Sequence, residues 1–346
     1  MRKPHEKRHS NSSSVSPLET AIVVELRPNG IFSATQIQTN SSIRQIVSQS
    51  HFYILAHRPA IRAKDLGDAV EFFARGPFDG FSEIELKVPK SSIELTVDNG
   101  GQRLIQNEVW FHSHEVLSQV LRDNLPGIAS LDRLHELIKW KIAYVGMSYG
   151  SGEGSLTGRL KEHDKLPLLM DKFGALGHDI RIIPMHSAST SALFGPANEG
   201  KLASPVPDLE KLLDFTSSDG RRQTSAMVRV VENVLIAYFQ PELNKRERSW
   251  PSVESARALR DHNARSVVVV INGTEVTYSL FSDRRNVPRR GFSLLADLHS
   301  PGVIDVDDYN AQDSKNIDLP IFLNSLTVTA SQAQSSSAIP RASRGD

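Results

Sequence analysis

The 346-residue chain contains no cysteine, which excludes disulfides and thiolate metal sites and agrees with a reducing compartment. It also lacks net charge: 40 Lys and Arg balance 40 Asp and Glu. No global field therefore advertises a polyanionic partner, and such binding must come from local patches. No apolar run approaches the ~20 residues of a membrane-crossing helix, and the start is too polar for a signal peptide. Internal repeats are missing. These absences point to a soluble cytoplasmic protein with no membrane partner, and the length gives a prior of two domains.

What is present is organised around Ile142–Ser148, a short β-branched and aromatic run. A glycine-rich loop, Tyr149–Gly154, leads into Ser155–His163, so the stretch reads as strand, loop and helix. Arg159 and His163 are four apart and share a helix face, which suggests an anion site. Far downstream, the segment Met227–Asn244 reads as a helix that Pro241 ends. Its polar residues Arg229, Asn233 and Gln240 fall in one arc, whereas Glu232 sits among Val228, Leu235, Ile236 and Phe239. A carboxylate on an apolar arc is paired or holds a metal, because burying it bare is costly. Singly, Tyr144 also reads as a packed strand aromatic, Arg159 and His163 as a solvated helix face, and Glu232 as an arginine's partner.

Taken in order, these segments resemble the GIY-YIG nuclease family. Tyr144-Val145-Gly146 is similar to its second triplet, Arg159 and His163 to its Arg-x-x-x-His helix, and Glu232 with Pro241 and Asn244 to its Glu…Pro-x-Leu-Asn segment. The resemblance covers residues 141–247. It implies metal-dependent hydrolysis of DNA phosphodiesters, with Glu232 holding Mg²⁺ (or Mn²⁺) and Arg159 clamping a phosphate oxygen. Tyr144 would position or deprotonate water, His163 would be the alternative base, and Gly146 and Asn244 would support the site. The family's first triplet, Gly-Ile-Tyr, has no match; Gly127-Ile128-Ala129 comes nearest. Tyr53 and Tyr149 are the candidate sources of its hydroxyl, and Tyr149 is preferred as the nearer in sequence. Without that hydroxyl the alternative is a catalytically degenerate DNA-binding protein.

The expected architecture is α/β in the α+β sense, a GIY-YIG-like small antiparallel sheet flanked by helices. Residues 1–17 form a basic, serine-rich disordered tail, 20–140 a mixed α/β region, and 141–250 the nuclease-like domain with an insertion at 194–224. A β-rich extension occupies 251–329 and a second disordered tail 330–346. Strands are expected at 21–26, 52–56, 84–88, 93–97 and 179–183, and helices at 65–75, 115–123, 165–173, 209–213 and 254–263. Asn99-Gly100-Gly101 suggests a hairpin with 104–111, and Asn272-Gly273 one between 266–271 and 275–281. Residues 131–140 are amphipathic and pack just before the central strand. His112 and His114 share a strand face without further metal ligands. Lys245, Arg246 and Arg248, then Arg284, Arg285, Arg289 and Arg290, are candidates for contact with DNA backbone.

A different enzyme class is also encoded. Gly146-Met147-Ser148-Tyr149-Gly150 fits the Gly-x-Ser-x-Gly elbow of serine hydrolases, with Ser148 as nucleophile and His299 in the right order. The glycines after Ser148 are a poor helix start, however. A dinucleotide site fails for want of an acidic residue ending the next strand.

Overall fold

A computed structural model describes residues 18–74, 80–81, 83–89, 138–148, 156–161, 164–196, 225–246, 248–262, 264–273, 278–286, 288–289, 291–299 and 301–306. The chain is mixed α/β. The strands are β1 (Leu18–Pro28), β2 (Phe52–Pro59), β3 (Arg62–Asp65), β4 (Ala69–Ala74), β5 (Ile84–Pro89), β6 (Lys139–Met147), β7 (His178–Pro196), β8 (Ser266–Ile271), β9 (Ser279–Phe281), β10 (Phe292–Asp297) and β11 (Ile304–Asp305). The helices are α1 (Ala34–Thr39), α2 (Ser41–Ser48), α3 (Leu156–Lys161), α4 (Lys165–Leu169, continued by a π-helical turn Met170–Gly174), α5 (Ser225–Phe239) and α6 (Val253–Asp261).

The main sheet has eight strands in the order β11-β10-β8-β1-β7-β2-β6-β9, and β3-β4-β5 form a second sheet. β1 runs parallel to β8 and β6 parallel to β9; the other pairs of the main sheet are antiparallel. It thus takes strands from all three segments that the sequence reading separates. β2 is buried along its whole length because both faces are covered. Phe52, Ile54 and Ala56 face the larger core around α5, while Tyr53 and Leu55 face a second cluster with Val47, Leu156, Leu166 and Leu169.

α5 is apolar almost all round, as expected of a helix buried on every side. It touches β6 and also β8 and β10. In a flat sheet the four steps from β6 to β8 would span ~19 Å, at about 4.8 Å per strand, beyond the ~10–12 Å width of one helix. The sheet therefore curls around α5. The helix stops at Phe239, where Gln240 takes a positive φ of 47° and Pro241 follows. No helix among the described residues is long and apolar enough to cross a membrane.

Two local expectations are corrected. The helix expected at 65–75 does not form over 65–74: Gly67, at φ 94°, turns the chain so that β4 pairs with β3 and β5. That left-handed glycine interrupts any helix, and Ala-Val-Glu-Phe-Phe suits a pleated strand. The hairpin expected across Asn272-Gly273 does not form either, because β8 already has β1 and β10 on its two edges. Ser279–Phe281 instead joins β6 at the opposite end of the sheet. Trp140 belongs to β6 itself. The features expected at 93–97, 99–101, 104–111, 112, 114, 115–123, 131–137 and 209–213 lie outside the described residues, as does 197–224 of the expected insertion.

Candidate functional site

The site is built where β2 and β6 lie side by side. Tyr53 pairs with Gly146 and Leu55 with Tyr144, while Ala56 pairs with Ile142, leaving Ala143 as the extra residue of a β-bulge. Tyr53 and Tyr144 meet on one sheet face with ring centroids 6.0 Å apart and planes inclined at 41°. Gly146 lies beneath them. A Cβ there would come within 2.5 Å of the Tyr53 ring and 2.6 Å of the Tyr144 ring, so only glycine lets the two rings close.

Tyr53 is 1% exposed, whereas Tyr144 keeps some access to solvent. A hydrogen bond joins the two hydroxyls. Burial, then the neighbouring Tyr144, pushes the Tyr53 phenol far above its usual range. Tyr144 is raised as well, first by burial and then by the Glu232 carboxylate. Arg159 acts in the opposite direction on both. Four side chains from four elements thus share one electrostatic environment: Tyr53 (β2), Tyr144 (β6), Arg159 (α3) and Glu232 (α5). Arg159 is exposed, with Nη1 donating to the Met147 carbonyl at 2.9 Å, and its short helix is anchored by the buried Leu156. Glu232 is half-buried, and Asp164 adds a further negative influence on Tyr144.

Asn244 is buried against the outer edge of β6. Its Oδ1 accepts from the Val145 N–H at 2.8 Å and its Nδ2 donates to the Val145 carbonyl at 2.9 Å. Leu243 N donates to the Ala143 carbonyl, so this loop acts as a short surrogate strand beside Tyr144. Arg248 closes the loop by donating to the carbonyls of Asn244, Pro241 and Glu242.

The remaining candidates separate by what already holds them. Arg285 lies over the Tyr238 ring at 4.5 Å, and Arg289 pairs with Asp305, which also accepts from the Tyr238 hydroxyl. Like Arg248, these two make contacts within the protein, around α5 and the residues that follow it. Lys245, Arg246 and Arg284 are exposed. His163, Tyr149 and Arg290 lie outside the described residues. Ser148 is buried, its Oγ donating to the Ser50 carbonyl at 2.6 Å. His299 stands after β10, five strands from β6 in the sheet.

Sequence reasoning set Tyr53 behind Tyr149 because it lies far upstream of Tyr144. The available signal was its strand, Phe52–Ala56, which carries a tyrosine but no clue to its pairing. No cluster of three or more His, Asp or Glu among the described residues could hold a metal ion by itself. The Glu232 carboxylate still suits Mg²⁺, a hard cation that is commonly bound through one or two carboxylates and keeps several waters. Comparison with family models, curated proteins and solved structures finds no match to this chain.

Proposed function

We propose that the chain is a metal-dependent DNA endonuclease of the GIY-YIG type. The observation that carries the reading is the convergence of Tyr53, Tyr144, Arg159 and Glu232 over a glycine the two rings require. Tyr53 supplies the hydroxyl that the sequence match left open. It lies on a strand antiparallel to that of Tyr144, with His51-Phe52 where the family has Gly-Ile.

In this reading Glu232 holds the divalent cation, which when bound stabilises charge developing on the phosphate and leaving oxygen. Arg159, already steered by Met147, presents its remaining guanidinium donors to a phosphate oxygen. A tyrosine phenol, with an ordinary pKa of about 10, is already protonated at neutral pH, and burial of Tyr144 favours that form further. Tyr144 therefore acts as a hydrogen-bond donor that orients water or phosphate rather than as the base. In this reading the hydrogen bond from the buried Tyr53 hydroxyl fixes the Tyr144 hydroxyl, whose proton is then offered to the substrate side.

The test is nicking of supercoiled plasmid with Mg²⁺ by wild type and Glu232→Gln. Wild type should cut and lose activity on chelation, while the variant should bind DNA with near-wild-type affinity and not cut. If Glu232→Gln cuts at the wild-type rate, the assignment is wrong. Tight binding by wild type without cleavage under Mg²⁺ or Mn²⁺ would leave the binding-only reading.

A further inference from the structure

The charge balance of the whole chain hides an uneven distribution. Many of the described cations face a carboxylate: Lys141 faces Asp283, Lys172 faces Glu242, Arg229 faces Glu254 and Arg265 faces Asp297. Exposed Arg44 on α2 and exposed Lys245 and Arg246 after Asn244 have no such partner among the described residues.

The elements bearing these three cations meet at one place. Ser148, just past β6, donates its N–H to the His51 carbonyl and its hydroxyl to that of Ser50, tying the exit of α2 to the strand end. α2 also packs against α3, the helix of Arg159. Asn244, next to Lys245, grips Val145 from the other side, and Arg159 grips Met147. Val145 and Met147 are two residues apart, roughly 6.6 Å along the strand. The last residues of β6 are thus flanked by three separate elements that carry these cations, with the tyrosine pair alongside.

We infer that Arg44, Arg159, Lys245 and Arg246 form one phosphate track, on which a DNA duplex crosses the Met147 end of β6. This inference rests on the nuclease reading above and adds how the substrate lies. Four phosphate contacts give a log–log salt slope of about −3.6, so affinity falls roughly 150-fold between about 50 and 200 mM salt.

The experiment measures anisotropy of a short labelled random-sequence duplex without divalent metal, across that salt range. Arg44→Ala combined with Lys245→Ala and Arg246→Ala should flatten the slope to about −0.9, shrinking the fall to roughly fourfold. Arg257→Ala with Arg260→Ala, on exposed positions of α6, should leave the wild-type slope. Thermal melting checks that each variant is folded, and single Arg44→Glu should weaken binding should the triple variant not fold. The track is overturned if the folded triple variant keeps the wild-type slope, if the α6 variant flattens it equally, or if Arg44→Glu binds as wild type. In those cases wild-type cleavage leaves the nuclease reading standing. A wild type that neither binds duplex at low salt nor cuts it overturns both.

Discussion

Gly146→Ala adds a single methyl group, and its position makes the outcome calculable. The new Cβ would stand 2.5 Å from Tyr53 Cζ, 2.6 Å from Tyr53 Oη and 2.6 Å from Tyr144 Cε1. Non-bonded carbons rest at about 3.5–4.0 Å, so the rings must retreat by roughly 1 Å. Both belong to a packed cluster with Leu55, Ala143 and Leu243, which resists that movement. Overpacking of this kind costs about 1–3 kcal/mol. Under the nuclease reading proposed above, a group displaced by about 1 Å also costs on the order of 100-fold in rate. Urea denaturation should therefore show a lower midpoint at unchanged slope, and plasmid nicking should slow by about that factor. Adding Tyr53→Leu removes two of the three clashing atoms, so the double variant should be more stable than the sum of single effects by about 1 kcal/mol. A Gly146→Ala protein with the wild-type midpoint would show that the rings do not close over this position.

Further outcomes follow from separate features. Asn244→Ala should cost about 2–4 kcal/mol in urea denaturation, since it strands the Val145 N–H and carbonyl; an effect below about 1 kcal/mol would mean that water or another group serves them. Gln240→Gly should stabilise by about 0.5–1.5 kcal/mol, because the left-handed conformation at φ 47° strains a side-chain-bearing residue, and a lower melting temperature would count against this. His57 is pushed down to about 3, first by burial, then by His178, Lys141 and Lys172. The unfolded chain therefore binds the extra proton below about pH 6.5, and stability present above that pH is lost as pH falls towards 3. Between pH 7.5 and 5 wild type should lose about 2 kcal/mol more than His57→Phe, and equal losses would assign the pH response elsewhere.

Much of the scaffold is legible in local pattern. The β-branched runs of β1 and β8, the aromatic and aliphatic run that opens β2 and the apolar periodicity of α5 specify their own conformations, and Pro241 marks where α5 must end. Glu232 and Arg159 stand out because charge at those positions needs a reason. What cannot be read locally is pairing. Nothing within Ser279–Phe281 says that its partner is β6 rather than β8, because the edges of β8 are filled by distant strands. Tyr53 was obscured for the same reason: its contact with Tyr144 exists only once β2 lies in register with β6. Gly67 was a punctuation mark read too lightly, since one left-handed residue converts a helical-looking stretch into a hairpin.

The long interval between β2 and β6 has a consequence for how such a site can change over time. The two tyrosines come from opposite ends of a connection of about eighty residues, and the pairing of their strands sets their register. That connection can therefore change in length without breaking the pairing that holds the two hydroxyls together, since loop closure becomes only slowly costlier with length. Gly146 and the Asn244 loop have no such latitude. Variation among descendants of this sequence should accumulate between the two strands and spare their join. Copying residues 141–250 into another protein would leave half of the tyrosine pair behind.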